Sequence, residues 1–190
     1  MTGTPVGIVP AAGKGSRFGG AKMLALVRGE PMLTHPIRAL LDGGVHRVIV
    51  VVSSALADLS AVAELGWPGV TAVLNADPDR GMFSSIQIGI AAADGEPIVV
   101  LPGDMPYVQP ATVTRLLAEF AHAPGAVAPQ FHGKHGHPLA LPARARHAIL
   151  QAEATARLDD VLASSGFPRR FFDADDPGVT RDVDVIGDLR

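Results

Sequence analysis

The sequence predicts an α/β fold with a mostly parallel central sheet and helices on both of its faces. Apolar strand patterns and amphipathic helix patterns alternate through residues 5–122, which is typical of βαβ units. The segment "HRVIVVVSS" is apolar without alternation, as expected of a strand that is covered on both faces. The length of 190 residues fits one domain.

The predicted elements of the first half follow one another in βα order. A buried strand at residues 6–9 leads into a glycine-rich loop, and the helix pattern "PMLTHPIRALLDGG" follows. Pro36 should distort the first part of this helix, and Gly43 with Gly44 should stop it. The order continues with the strand "HRVIVVVSS", a helix at residues 55–65, the strand "GVTAVLN", the helix "GMFSSIQIGIAAADG" closed by Gly95, and the strand and turn "EPIVVLPGDMP".

The second half begins with the helix "QPATVTRLLAEFAHA", which has Pro110 near its first turn. Two shorter strands, "GAVAPQF" and "HPLALPA", flank the loop "HGKHG", and the acidic run "DADDPG" is expected to be a solvated loop. Helices are predicted at residues 144–152 and 154–164 and a last strand at residues 170–172. Because no repeat or linker interrupts this order, residues 1–190 are predicted to form a single domain.

Composition excludes several classes of protein. The formal net charge of -3 argues against general binding to nucleic acid or to anionic membranes. The chain has no cysteine, which excludes disulfides and thiolate metal sites and fits a reducing cytoplasm. No apolar run reaches the ~18 residues that span a bilayer, and the N-terminus is a poor signal peptide. We therefore expect a cytoplasmic protein that binds neither nucleic acid nor membrane.

The glycine-rich loop in "GIVPAAGKGSRFGGAK" does not fit the two best-known phosphate-binding patterns. In the P-loop pattern G-x-x-x-x-G-K-[ST], Ile8 stands where the first glycine belongs, and Gly15 follows Lys14. In the dinucleotide pattern G-x-G-x-x-G, Gly13 and Gly15 match, but Phe18 takes the third glycine position. The acidic residue expected after the second strand is also missing. A nicotinamide site remains an alternative on this partial match.

The small residues of the loop suit a nucleotide. Ala11 and Ala12 would leave room for a base or a ribose against the backbone. Gly13 and Gly15 would allow backbone N–H groups to form an anion-binding nest. The alternative is a glycine-rich surface turn.

Charged residues in and beyond the loop suit a triphosphate with a metal ion. Arg17 offers a planar fork and Lys22 a point charge, and both could bind phosphates; the alternative is that both are solvated. Asp104, in "PGDMP", follows a buried strand at the edge of the sheet where ligands bind. Its carboxylate could hold Mg²⁺, or it could satisfy its own turn.

Several segments together resemble a known family. The stretch "PAAGKGSRFGGAK" resembles the signature of nucleotidyltransferases that act on sugars, isoprenoid precursors and molybdopterin, and it is most similar to the molybdenum cofactor nucleotidyltransferases. The further matching segments are "GEPMLTHPI", "NADPDRGMFSSIQIGI", "VVLPGDMPYVQPATVTRLL", "APQFHGKHGHPLALP" and "VTRDVDVIGDL". The resemblance implies a Rossmann-like fold of the GT-A-like nucleotidyltransferase type. It also implies a protein that binds a nucleoside triphosphate and Mg²⁺ and releases pyrophosphate.

The resemblance is closer to the cytidylyl branch of this family. The stretch "AAG" at residues 11–13 resembles the cytidylyl branch, whereas guanylyl relatives more often carry a second glycine there, which makes room for a purine. We therefore expect transfer of CMP from CTP to molybdopterin cofactor, with molybdenum hydroxylases or their chaperones as partners. The alternatives are GTP as donor, a sugar or alcohol phosphate as acceptor, or a non-catalytic cofactor-binding protein. The chain departs from the family pattern at Pro10, where leucine is usual, and at Phe83, where a smaller residue is common.

The resemblance also implies roles at the reacting phosphates. Lys22 should stabilise charge as the α-phosphorus is attacked, and Arg17 should hold the departing pyrophosphate. Asp104 and Asp184 should bind the metal, with Asp182 as a supporting residue on the acceptor side. The two aspartates of "RDVDV" would share one face if that segment were extended. The alternative is an edge strand with solvated acids.

The remaining predicted site residues bind nucleotide or acceptor. Asn75, Ser84 and Ser85 could contact the ribose or a base edge, or they could cap the neighbouring strand and helix. The resemblance places Gly136, His137 and Pro138 beside the acceptor. Three histidines lie within "HGKHGH", but their spacing matches no common zinc pattern.

Overall fold

The computed structural model describes residues 3–13, 22–54 and 66–189. The predicted helix at residues 55–65 lies outside this part of the chain. The described strands are β1 (Val6–Pro10), β2 (Leu26–Val27), β3 (Glu30–Pro31), β4 (Arg47–Val52), β5 (Val70–Leu74), β6 (Ile98–Val100), β7 (Val127–Phe131), β8 (Lys134–His135), β9 (Leu139–Leu141) and β10 (Arg170–Asp173). The described α-helices are α1 (Thr34–Asp42), α2 (Met82–Ala92), α3 (Pro110–His122), α4 (Arg146–Gln151) and α5 (Leu158–Ser164).

A mostly parallel sheet forms the centre of the molecule, as the sequence predicts. Its strand order is β10-β7-β9-β6-β1-β4-β5, and β8 pairs with β7 at the side. Strands β6, β1, β4 and β5 run parallel, with Ile8 opposite Ile49 and Val100. Strand β9 runs antiparallel to both of its neighbours, so Leu139 pairs with the last residue of β6. This reversed strand brings the segment before β9 to the carboxyl ends of the parallel strands.

Helices cover both faces of the sheet, which confirms the predicted layers. On one face, α1 packs on β1 and β4 and α3 packs on β7 and β9, and both helices contribute to a cluster that contains Ile37, Leu40 and Leu116. On the other face, α2, α4 and α5 pack through a second cluster that contains Ile86 and Ile90. The side chains of β1 alternate between the two clusters, which explains its uniformly apolar sequence.

Several predicted elements differ in their boundaries from the structure. Helix α1 begins only at Thr34, so Pro36 falls in its first turn, where a missing N–H breaks no helix hydrogen bond. Helices α4 and α5 are shorter than predicted. The predicted loop "HGKHG" contains a tight hairpin, because His132 and Gly133 both have positive φ and β8 folds back on β7.

Asp176 fixes the segment that leads to the chain's last described residues. Only 3% of this residue is exposed, so the acidic run around it is not simply solvated. Its carboxylate accepts hydrogen bonds from the Thr112 hydroxyl at 2.7 Å, the Gln109 N–H at 3.0 Å and the Gly178 N–H at 2.9 Å. These bonds attach the short 3₁₀ helix Pro177–Thr180 to the start of α3.

Replacing Asp176 should weaken the fold. Asp176→Ala leaves three donors without this acceptor, two of them in buried hydrogen bonds, so we expect the free energy of unfolding to fall by about 3 kcal/mol. Urea denaturation measures this change. Asp175→Ala, at the exposed neighbouring position, is the matched control and should change stability by less than about 0.5 kcal/mol. Equal effects of the two variants would contradict this account of Asp176.

Candidate functional site

The candidate site lies at the carboxyl ends of β1 and β6, where ligands bind in open α/β sheets. The loops that leave these two strands are joined directly, because the Gly103 N–H donates to the Pro10 carbonyl oxygen at 3.0 Å. A Cβ atom at Gly103 would lie only 3.1 Å from the Met23 sulfur and 3.2 Å from the Pro10 oxygen. The close approach therefore favours glycine before Asp104, because a larger residue would force its neighbours to shift by a few tenths of an ångström.

Three charged side chains from distant parts of the sequence meet beside this junction. The Lys22 ammonium donates to Asp104 Oδ2 at 2.8 Å and to Asp184 Oδ1 at 3.0 Å. The Lys22 side chain is 9% exposed, Asp104 18% and Asp184 53%. Burial alone would lower the pKa of Lys22, but the bonds and charges of the two carboxylates raise it above its ordinary value. Lys22 is therefore a charged ammonium at neutral pH.

The segment that carries Asp182 and Asp184 is tied to Asp104 by its backbone. The Val183 N–H donates to the Asp104 carbonyl oxygen at 2.9 Å, and the Val183 side chain is fully buried. Residues 181–184 form no strand in the structure, so the edge-strand alternative is wrong. Asp184 reaches Lys22, whereas Asp182 is exposed and forms no hydrogen bond or ion pair with the residues that the structure describes. The supporting role of Asp182 stays a prediction.

A small cavity opens next to these charges. Its volume is about 150 Å³. The lining residues come from the end of β1, the start of α2 and the turn after β6; they are Pro10, Ala12, Gly13, Met23, Pro78, Gly81, Met82, Ser85 and Asp104. Ala12 faces the cavity, whereas Ala11 packs in the hydrophobic core. Of the two predicted base-binding alanines, the structure thus places only Ala12 at this cavity.

Asn75 and Ser84 lie behind the cavity wall. The fully buried Asn75 amide donates to the Ser84 and Ser85 hydroxyls, each at 3.0 Å, and accepts from the Asp77 N–H at 3.0 Å. The Ser84 hydroxyl donates to the Gly81 carbonyl oxygen at 2.7 Å. Gly81, rather than a serine, occupies the N-cap position of α2. Asn75 and Ser84 therefore hold the start of α2 in place, and Ser85 is the member of the group that lines the cavity.

The predicted acceptor residues lie near Asp104, whose charge acts on His137, and they do not line this cavity. The His137 N–H donates to the Val179 carbonyl oxygen at 2.8 Å, and a Cβ atom at Gly136 would come within 2.5 Å of the same oxygen. Burial and the nearby Arg169 charge lower the pKa of His137 to about 4, although Asp104 and Asp159 oppose that shift. The imidazole is therefore neutral at pH 7, and the buried Pro138 follows it.

Arg169 is a charged residue near this position that sequence reasoning missed. Its guanidinium pairs with Asp159 at the start of α5, and its side chain is 16% exposed. Burial lowers the pKa of Arg169, and its Nε has no hydrogen-bond partner among the described residues. The neighbouring Arg170 is exposed and bonds the Ala123 carbonyl oxygen. No local sequence signal separates the partly buried Arg169 from the exposed Arg170, because the difference depends on the distant α5.

A larger groove borders the cavity and shares Gly81 and Met82 with it. Its volume is about 360 Å³, and Phe83 and Ile86 form part of its apolar wall. Phe83 thus faces the groove and not the cavity. The predicted phosphate-binding residues Gly15 and Arg17 lie outside the described residues. Their predicted roles are untested.

Similarity to known proteins identifies the family. A profile described as "MobA-like NTP transferase domain" matches residues 7–170. The chain belongs to this family. A MobA-like relative from Thermococcus sibiricus, named "Probable molybdenum cofactor guanylyltransferase", is 33% identical over 60% of this chain and 55% of its own length. The chain thus spans about half the length of such curated relatives.

Solved structures share the fold of this MobA-like domain. Rv0371c from Mycobacterium tuberculosis H37Rv superposes with a TM-score of 0.81 at 24% identity, over 97% of this chain and 95% of that one. A nucleotidyl transferase from Methanothermobacter thermautotroptrophicus gives a TM-score of 0.79 at 24% identity, over 97% and 94% of the two chains. These likenesses confirm the predicted nucleotidyltransferase type of fold. Within the described residues, no helix has the length and apolar character needed to cross a membrane.

The partly buried imidazole of His137 should make stability depend on pH. Its folded pKa is about 4 and its ordinary value is 6.5, so the unfolded chain takes up the proton first as the pH falls. The stabilising effect is complete above pH 6.5 and is lost as the pH approaches 4, with a total of about 2 to 3 kcal/mol. Urea denaturation from pH 7 to pH 4 should show a shallower loss for His137→Gln than for the wild type. The exposed control His122→Gln should follow the wild type; a parallel loss in all three proteins would refute the assignment.

Proposed function

We propose that this chain transfers a nucleoside monophosphate from a nucleoside triphosphate to a phosphate group of molybdopterin cofactor and releases pyrophosphate. One observation carries the proposal: Lys22, Asp104 and Asp184 converge beside a cavity at the carboxyl edge of the sheet. Family membership supports the reaction class, and the name of the Thermococcus sibiricus relative supports the acceptor. Molybdenum hydroxylases as recipients of the product remain a prediction.

The reaction requires positioning and charge neutralisation more than covalent chemistry. A phosphate oxygen of the acceptor attacks the α-phosphorus in line, and the bond from that phosphorus to the bridging oxygen of the β-phosphate breaks. In this proposal the Lys22 ammonium stabilises negative charge on the phosphates. The neutral His137 imidazole offers a hydrogen bond to the acceptor without adding charge. Arg17 is proposed to hold the leaving pyrophosphate.

The residues present fit a divalent cation. The carboxylates of Asp104 and Asp184 already converge on a single cation, the Lys22 ammonium, and carboxylate oxygens are the ligands that Mg²⁺ prefers. Asp104 and Asp184 would hold the ion. When bound, it would neutralise charge on the triphosphate and polarise its oxygens.

The identity of the base rests on two observations that point in different directions. The guanylyltransferase name of the relative favours GTP as the donor, and we take GTP as the first candidate. The Ala12 side chain favours CTP, because its methyl group takes up space in a cavity of only about 150 Å³. A donor panel of GTP, CTP, ATP and UTP separates these candidates.

Removing the Asp104 carboxylate charge should slow turnover strongly. With molybdopterin cofactor, Mg²⁺ and either GTP or CTP, we expect pyrophosphate release by the wild type. We expect at least about a 100-fold lower rate for Asp104→Asn, because a charge that offsets the metal is lost. Asp94→Asn, at the opposite edge of the sheet, is the matched control and should keep the wild-type rate. No release from any of the four donors by the wild type would refute the proposed function.

Ala12→Gly should shift base preference toward the purine. Removing one methyl group from the cavity wall should raise the ratio of kcat/KM for GTP to that for CTP by about 3- to 10-fold. Steady-state kinetics with both donors measures the ratio. Ala126→Gly, a buried alanine at the far end of the sheet, controls for general loosening and should leave the ratio unchanged. An unchanged ratio in Ala12→Gly would show that this wall does not select the base.

A further inference from the structure

Lys22 stands at the point where the two candidate metal ligands converge. Its ammonium lies 2.8 Å from Asp104 Oδ2 and 3.0 Å from Asp184 Oδ1. Each of these oxygens therefore gives a lone pair to an N–H group that a metal ion would need for itself. A divalent ion beside the ammonium would also face a like charge at close range, where repulsion is strong in a partly buried site. Lys22 and a free divalent ion thus compete for the same place.

Hydrogen bonds hold the backbone that follows this lysine, whereas its long side chain can change place. Lys22 begins a 3₁₀ helix that ends at Leu24. The Ala25 N–H donates to the Lys22 carbonyl oxygen at 3.1 Å, and the Leu33 N–H donates to the Met23 carbonyl oxygen at 3.1 Å. Four methylene groups separate the fixed backbone from the ammonium, which gives it reach toward a neighbouring anion.

The two carboxylates differ in their exposure. Two backbone hydrogen bonds hold Asp104: the Gly103 N–H donates to the Pro10 carbonyl oxygen, and the Val183 N–H donates to the Asp104 carbonyl oxygen. The Asp104 side chain is 18% exposed. Asp184 is 53% exposed. Removing the ammonium would take away the one cation that pairs with these two carboxylates within the described part of the chain. Such a pair binds a cation strongly.

We propose that Lys22 closes this site to free divalent cations and that a bound triphosphate opens it by drawing the ammonium away from the two carboxylates. The triphosphate offers the ammonium anionic oxygens in exchange for those of Asp104 and Asp184. The metal then enters with the nucleotide and not before it. Because coupling between two ligands is reciprocal, the metal strengthens nucleotide binding by the same factor. This inference rests on the proposed function for the identity of the anion.

Manganese binding without any nucleotide tests the first half of the proposal. Mn²⁺ is the probe, and the loss of the free-ion signal in electron paramagnetic resonance measures its Kd. We expect weak binding by the wild type and at least about tenfold tighter binding by Lys22→Met. The control Lys134→Met removes an exposed lysine of the β7–β8 hairpin and should bind as weakly as the wild type. The double variant Lys22→Met with Asp104→Asn should lose the gain, which locates the ion at these carboxylates.

The same titration with a non-hydrolysable GTP or CTP analogue tests the second half. The analogue should tighten Mn²⁺ binding strongly in the wild type and much less in Lys22→Met, where the site is already open. Wild-type protein that binds Mn²⁺ alone as tightly as folded Lys22→Met would overturn the inference. Thermal denaturation establishes that Lys22→Met is folded. Lys22→Arg keeps a cation at this position and should bind Mn²⁺ as weakly as the wild type. Tight Mn²⁺ binding by Lys22→Arg would also count against the inference.

The two proposals fail in different ways. Mn²⁺ binding in the absence of nucleotide requires no turnover, so it is informative even if no donor releases pyrophosphate. Pyrophosphate release together with equal Mn²⁺ affinity in the wild type and Lys22→Met would remove this inference and leave the proposed function standing. If Lys22→Met binds Mn²⁺ more tightly but the wild type releases no pyrophosphate from any donor, the proposed function is refuted. A cation site that Lys22 closes would then remain.

Discussion

The structure depends on holding two carboxylates close together at one edge of a buried sheet. Asp104 and Asp184 would repel each other there, and the Lys22 ammonium offsets their charge at 2.8 and 3.0 Å. That arrangement requires the three separate segments that carry Lys22, Asp104 and Asp184 to come together at the carboxyl ends of the strands. Glycine at position 103 lets the turn after β6 touch the end of β1, and the buried Val183 anchors the segment that carries Asp184. Asp176 in turn fixes the chain that precedes it.

Elements around the charged cluster serve to shape the space beside it. The Asn75 amide uses its donors and its acceptor within the protein and so holds Ser84 and Ser85 at the start of α2. The small Ala12 and Gly13 leave a cavity between that helix and the end of β1. On the other side, the neutral His137 and the partly buried Arg169, which pairs with the exposed Asp159, border the same edge. The shape of the cavity thus depends on α2 and the end of β1, whereas the polar and charged groups on the other side come from different elements.

The sequence predicts the layers and Asp104 because both depend on local patterns: continuous apolar strands, and a turn just past a buried strand. It could not predict that Lys22 bonds Asp184, since 162 positions separate them and only the packed fold unites them. The sequence also leaves two roles open for Asn75 and Ser84, which are contact with a nucleotide and support of the neighbouring strand and helix. A side chain that bonds within the protein and one that binds a ligand have the same local sequence. The hairpin at His132 was missed because polar residues around glycines indicate a loop as readily as a turn with positive φ.

One reversed strand has a consequence for how this molecule can be handled. Because β9 runs antiparallel, the residues before it lie at the same edge as the loops after β1 and β6. All described residues with a proposed chemical role therefore gather at that edge. The opposite edge, around Arg47 and Asp94, carries none of them. A fluorophore or a surface tether attached there would leave the chemistry undisturbed, so immobilised or single-molecule formats suit this protein.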